Sequence, residues 1–111
     1  MKIGQQQVGT VDVFTPVGAL TEQDGQAFSK LLLQRLRTAN PRVVVDLHEV
    51  SYLDSVALES LLDATAELGE RASALKLANT SPTCREILEL TGLAPRFCFF
   101  NDVQTAVKSF L

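Results

Sequence analysis

The chain opens on two stretches with strand character. Lys2 to Val8 is polar, with Gln5, Gln6 and Gln7 in succession, and suits the edge of a sheet. Val11 to Thr15 alternates: Val11, Val13 and Thr15 point one way, Asp12 and Phe14 the other, as on a half-buried strand. Gly9-Thr10 joins the two as a hairpin, and Pro16 and Gly18 are expected to end it. Thr21-Glu22-Gln23-Asp24 has the spacing of a capping box, with Thr21 as the cap. Ala27, Phe28, Leu31, Leu32 and Leu36 then recur at helical spacing. This predicts a helix over about Glu22 to Thr38, stopped by Asn40-Pro41.

Val43-Val44-Val45-Asp46-Leu47 is a mostly apolar run opening on three β-branched valines, the pattern of a central strand buried on both faces. His48 to Leu53 reads as a loop. A second helix begins near Asp54-Ser55, carries Leu58, Leu61, Leu62, Thr65 and Leu68 on one face, and ends near Gly69. Ala74 to Ala78 is a short strand, apolar except for Lys76. Ser81 caps a third helix with Pro82 at its first position. Ile87, Leu88 and Thr91 form its inner stripe, and Gly92-Leu93 fits a Schellman close. Arg96 to Phe100 is the last predicted strand. Asn101-Asp102-Val103-Gln104 is another cap followed by Gln three residues on, from Asn101 to Gln104, and opens a terminal helix whose apolar side is Val103, Ala106, Val107 and Phe110.

The predicted order is β-β-α-β-α-β-α-β-α. After the opening hairpin, alternating strands and helices imply an α/β fold with parallel pairing through right-handed crossovers. The sheet is expected to be mostly parallel with an antiparallel N-terminal edge pair, packed with about four helices. At 111 residues, one domain over 1–111 is expected.

Composition narrows the function. Hydrophobic residues are 46% and charged residues 21%, which is globular rather than disordered. No apolar run approaches the roughly 20 residues of a membrane span, so no direct membrane insertion is expected. The polar N-terminus lacks a signal-peptide pattern, so the cytoplasm is the expected location. Ten Lys and Arg against thirteen Asp and Glu give a net charge of -3. That balance, with an aromatic fraction of 6% that is nearly all Phe, disfavours nucleic acid as a partner.

Little in the chain suggests catalysis or a cofactor. Neither a G-x-G-x-x-G nor a P-loop pattern occurs. Cys84, Cys98 and the single His48 offer no zinc spacing, and no metal or cofactor is expected. The two thiols are read as semi-buried packing groups. A Cys84/His48 enzyme is the third-ranked function, since nothing in the spacing supports the pair. Asp46, at the end of a buried strand, must find donors and is expected to tie down a loop backbone. Asp54 reads as a helix-start carboxylate favoured by the dipole. Ligands of such sheets meet the loops after the strand carboxyl ends. Here those loops are Pro16 to Thr21, Val50 to Leu58 and Asn79 to Ser81.

Four segments together resemble the STAS domain, the fold of bacterial anti-sigma-factor antagonists. They are Val43-Val-Val-Asp-Leu, Val50-Ser-Tyr-Leu-Asp-Ser-Val-Ala-Leu, Leu75-Lys-Leu-Ala-Asn and Leu88-Glu-Leu-Thr-Gly-Leu93. Gly18-Ala-Leu-Thr21 is similar to the family's motif after the second strand. The resemblance spans essentially the whole chain. It implies a protein-binding regulatory module, not an enzyme, that binds an anti-sigma factor which is also a serine kinase and so releases a sigma factor. In such a cycle the kinase phosphorylates the antagonist at the start of the second helix, and the complex falls apart.

The sequence departs from that family at the acceptor. The usual Asp-Ser-Ser/Thr-Gly is here Asp54-Ser55-Val56-Ala57. Val56 has no hydroxyl, and Ala57 replaces the glycine. Thr21 stands where many members carry an aspartate. Ser55 is expected to be the helix N-cap, with a phosphoacceptor role second. The expected partner surface comprises Thr21, Leu53, Asp54, Ser55, Val56, Leu58, Asn79 and Ser81. The alternative function is a cytoplasmic STAS accessory subunit of an ABC lipid transporter, seated on its ATPase.

Overall fold

The computed structural model describes residues 2–20, 22–69, 71 and 75–111. The expected cap Thr21 lies outside the described residues, as does Ala74. The strands are β1 (Lys2–Val8), β2 (Val11–Leu20), β3 (Val43–Asp46), β4 (Val50–Leu53), β5 (Leu75–Ala78) and β6 (Cys98–Phe100). The helices are α1 (Glu22–Leu36), α2 (Ser55–Leu68), α3 (Pro82–Leu90) and α4 (Val103–Lys108). The six strands make one sheet of order β1-β2-β3-β5-β6, with β4 also paired to β2. β1 and β2 are antiparallel, and every other pair is parallel. The α/β fold expected from the sequence, with its antiparallel edge pair and four helices, is the fold observed.

Two differences concern the part of the sheet that positions the second helix. β2 does not stop at Thr15 but runs through Pro16 and Gly18 to Leu20. It pairs with β3 as far as Phe14↔Val45 and with β4 from Gly18↔Val50. Pro16 falls between these two ladders, where its missing N–H interrupts neither. Gly18 has φ +98, a backbone that side chains other than hydrogen rarely adopt, and the register shifts between Gly18 and Ala19. The predicted loop at 48–53 is therefore partly strand. β4 escapes a period-2 reading because Ser51 and Tyr52 both face solvent, between buried Val50 and Leu53. Two residues opposite one is the signature of a bulge.

Smaller differences lie at element ends. α1 stops at Leu36 rather than Thr38. Residues Ala94–Arg96 form a 3-10 turn, so β6 starts at Cys98 rather than Arg96. Thr91, expected on the inner stripe of α3, is exposed. It is the C-cap, followed by the expected close: Leu93 N donates to Leu88 O (2.9 Å) and Gly92 N to Glu89 O (3.1 Å).

The sheet divides the core in two. On its inner face Phe14, Leu20, Val43, Val45, Leu75 and Leu77 pack beneath α1, α2 and α3 with Phe28, Leu32, Leu61 and Leu88. On its outer face Val11, Val13, Val44 and Ala78 pack against Ala106 of α4. Lys76 shares that outer face and is buried. Its ammonium donates to Ser109 Oγ (2.6 Å) and lies 4.0 Å from the Phe110 ring centroid. Loss of water around it lowers its pKa.

α1 and α2 pack closely because Gly25 has no side chain. A Cβ there would meet Ala57 Cα at 3.2 Å and Ala57 Cβ at 3.4 Å. Gly25→Leu is expected to push the two helices apart and cost about 1–3 kcal/mol. The check is a lowered denaturant midpoint at unchanged slope.

Candidate functional site

The start of α2 is held by the sheet. Asp54 N donates to Leu20 O (3.2 Å) at the end of β2, and Gly18 N donates to Glu49 O (2.9 Å). The chain leaves β4 extended at Asp54 (φ -91, ψ -179), and Asp54 Oδ1 accepts from Ala57 N at 2.9 Å. Asp54, not Ser55, is thus the N-cap. The expectation for Ser55 fails by one residue, because the last extended residue is the one whose side chain can reach back to the orphan N–H groups. The carboxylate also gains from the helix dipole, as anticipated for Asp54. Ser55 is the first helical residue, is exposed, and its hydroxyl has no hydrogen-bond partner among the described residues. Val56 is half-buried. Ala57 fits because the facing Gly25 leaves it room.

Of the other residues expected at a partner surface, Leu53 and Leu58 lie in the core, 1% and 8% exposed. They support the tip from below and present almost nothing to a partner. The tip itself is therefore Asp54, Ser55 and Val56. Thr21 falls outside the described residues.

A second group braces the neighbouring loops. Asp46 is buried at the end of β3. Its Oδ1 accepts from His48 N and from Asn79 Nδ2, each at 3.1 Å, and its Oδ2 lies 2.9 Å from His48 Nδ1. The expectation that Asp46 ties down a loop backbone holds, and the tie extends to a second loop. Asn79 adopts a left-handed φ of 54, which Asn tolerates. Ser81 Oγ accepts from Cys84 N as the α3 cap, so Asn79 and Ser81 are both engaged in holding the β5–α3 turn.

The thiols differ from the expected semi-buried pair. Cys84 is fully buried with Sγ 3.6 Å from Val50 O, and Cys98 is exposed. The structure does not bring Cys84 and His48 together as a catalytic pair. The thiol contacts a backbone carbonyl, while the imidazole faces Asp46 and Glu49. Among the described residues no group of three or more His, Cys, Asp or Glu could hold a metal ion.

The hydrogen bond to Asp46 raises the His48 pKa above 6.5; slight burial opposes this, and the charges of Asp46 and Glu49 add to it. A raised folded value means that the pair stabilises below the ordinary histidine range and loses that effect as pH rises through the folded value. An NMR titration is expected to place the His48 midpoint above 6.5, and Asp46→Asn to bring it back down. Asp54→Ala is expected to cost about 1 kcal/mol, against less than about 0.5 for Ser55→Ala. Equal losses in urea melts would reverse the cap assignment.

Comparison with known proteins agrees with this geometry. Residues 3–97 match the family model described as Mlab, STAS domain. A STAS-domain containing protein of Pseudomonas aeruginosa is 38% identical over 64 residues, covering 58% of this chain and 63% of that protein. The chain thus aligns with less than two thirds of that relative. BtrV of Bordetella bronchiseptica, named as a candidate anti-sigma factor antagonist, is 23% identical over 110 residues, covering 99% of this chain and 95% of BtrV. The solved STAS-domain anti-sigma-factor antagonist from Planctomyces limnophilus superposes with a TM-score of 0.84 at 23% identity, covering 98% of this chain and 97% of that one. The antiparallel pair, the mostly parallel sheet and the four helices make an anti-sigma-factor-antagonist-like fold, and the chain belongs to the STAS domain family.

Proposed function

We propose that this chain is a regulatory binding module that acts without catalysis in the cytoplasm. It docks the tip of α2 on an anti-sigma factor of the serine-kinase class and so frees a sigma factor. The observation that supports this most directly is the tip itself. Asp54 fixes it, the core below makes it rigid, and Ser55 and part of Val56 stand free of the monomer. Pre-formed surfaces of this kind bind without a large ordering cost.

The same tip carries no acceptor at the family's usual place. Val56 cannot take a phosphoryl group, so binding is not switched there. Ser55 has the one hydroxyl in the Asp54–Ser55–Val56 tip. A phosphate on it would add a charge of about -1.5 to -2 beside the Asp54 carboxylate. Docking free of phosphorylation is the reading adopted.

A second reading keeps the tip and changes the partner to the ATPase of an ABC lipid transporter, with no lipid contact by this chain. Val56 favours it, since an accessory subunit needs no phosphoacceptor. Neighbouring genes separate the readings: sigma or kinase-like genes on one side, permease and ATPase genes on the other.

With the neighbouring kinase-like protein and ATP, the intact mass is expected to stay unchanged; phosphate on Ser55 would overturn phosphorylation-independent docking. Val56→Asp is expected to weaken binding to that protein by about 1–2 kcal/mol, roughly 5- to 30-fold. Unchanged affinity would move the docking surface off the tip.

A further inference from the structure

The connections after β5 and β6 leave the sheet on opposite sides. α3 packs on the inner face through Cys84 and Leu88, and α4 on the outer face through Ala106. Adjacent parallel strands whose connections part in this way leave a crevice at their carboxyl ends, where open α/β sheets hold their ligands. Here the crevice is a cavity of about 230 Å³. Asn79 and Thr80 after β5, Phe99 and Phe100 of β6, Asn101 after it and Arg85 of α3 border it.

The lining carries hydrogen-bonding groups that the fold does not use. Thr80 Oγ1 is shielded from solvent and has no hydrogen-bond partner among the described residues, and an orphaned atom of this kind requires an explanation. Asn101 is exposed, and its side-chain amide bonds to none of the described residues. The Arg85 guanidinium lies over the Phe99 ring, 3.8 Å from its centroid, and its Nε donates to Glu89 Oε1 at 3.0 Å. The ring and Glu89 together hold the group in place, and its two Nη atoms have no partner among the described residues. The cavity wall is itself braced: Asn79 N donates to Phe100 O and Asn79 Nδ2 to Asp46 Oδ1, each at 3.1 Å.

We propose that this cavity binds a small organic carboxylate. The Nη edge of Arg85 takes both carboxylate oxygens in a planar fork. Thr80 and Asn101 donate to the same group, and the apolar body of the ligand lies against Phe100. The volume of about 230 Å³ is below the roughly 300–1,000 Å³ of sites for drug-sized ligands, so the ligand is small. Among the described residues bordering the cavity Arg85 alone is charged. Glu89 shares that charge, and the Asp102 carboxylate caps α4 next to Asn101. One shared cation suits a single negative charge better than the near-double charge of a phosphate. The proposal stands apart from the docking role given to the α2 tip.

The test titrates benzoate, its neutral amide benzamide and inorganic phosphate into the isotope-labelled full chain at constant ionic strength, followed by NMR. Benzoate is expected to bind saturably and to move the signals of Thr80, Arg85 and Asn101. It is expected to bind at least about tenfold more tightly than benzamide or phosphate. Arg85→Gln is expected to weaken benzoate about tenfold or more, and Thr80→Val about threefold or more. Thr80→Val is also expected to leave the melting temperature undiminished, since it removes an unpaired hydroxyl. Benzamide or phosphate binding as tightly as benzoate would overturn the proposal. So would the absence of saturable shifts at these residues, or benzoate affinity within twofold of the original in either variant.

Discussion

The tip of α2 stands where it does because β2 is longer than β3. A strand of ten residues beside one of four leaves half its ladder unpaired. Backbone N–H and C=O groups in that position must find partners or remain exposed to water. β4 supplies them, and its register with β2 fixes where the chain turns into the helix. The hydrogen bond from Asp54 N to Leu20 O is the last rung of that ladder and the first constraint on the helix. Gly18 makes the passage between the two partners possible, since its positive φ accommodates the shift in register.

The rest of the site follows from that rung. Asp54 is extended because it ends a strand, so it caps. Because it caps, Ser55 is left with a free hydroxyl on the first turn. Behind the tip, Leu53 and Leu58 enter the core and Gly25 lets α1 close on Ala57. The result is a small rigid projection rather than a flexible loop. Beside it, Asp46 joins the loop after β3 to the turn after β5 through His48 and Asn79. Loops on the carboxyl edge of a sheet are usually the mobile part, and here a buried carboxylate holds two of them together.

The outer face shows the opposite economy. One short helix covers it, and a buried lysine helps to hold that helix through Ser109 and Phe110. The chain spends three helices on the inner face and six helical residues on the outer.

Local signals determined much of this protein. Helical spacing placed α1, α2 and α3, the β-branched run placed β3, and the cap at Ser81 was readable because its side chain bonds a backbone N–H three residues on; at α4 the cap is Asp102, one residue after the Asn101 that the spacing to Gln104 indicated. The hydrophobic pattern carried the fold because burial on one or both faces imprints a period on each element. Val56 and Ala57 in place of the usual motif were equally plain. What only tertiary structure decided was pairing. β4 has no period of its own, and Pro16 and Gly18 look like strand breakers until the gap between two partners is seen. Ser55 and Asp54 are both good caps in isolation, and the choice between them is made by the rung to Leu20. The role of Gly25 depends on a helix met thirty residues later. These features depend on contacts between distant segments, and a linear pattern records a residue's own burial but not the neighbour that causes it.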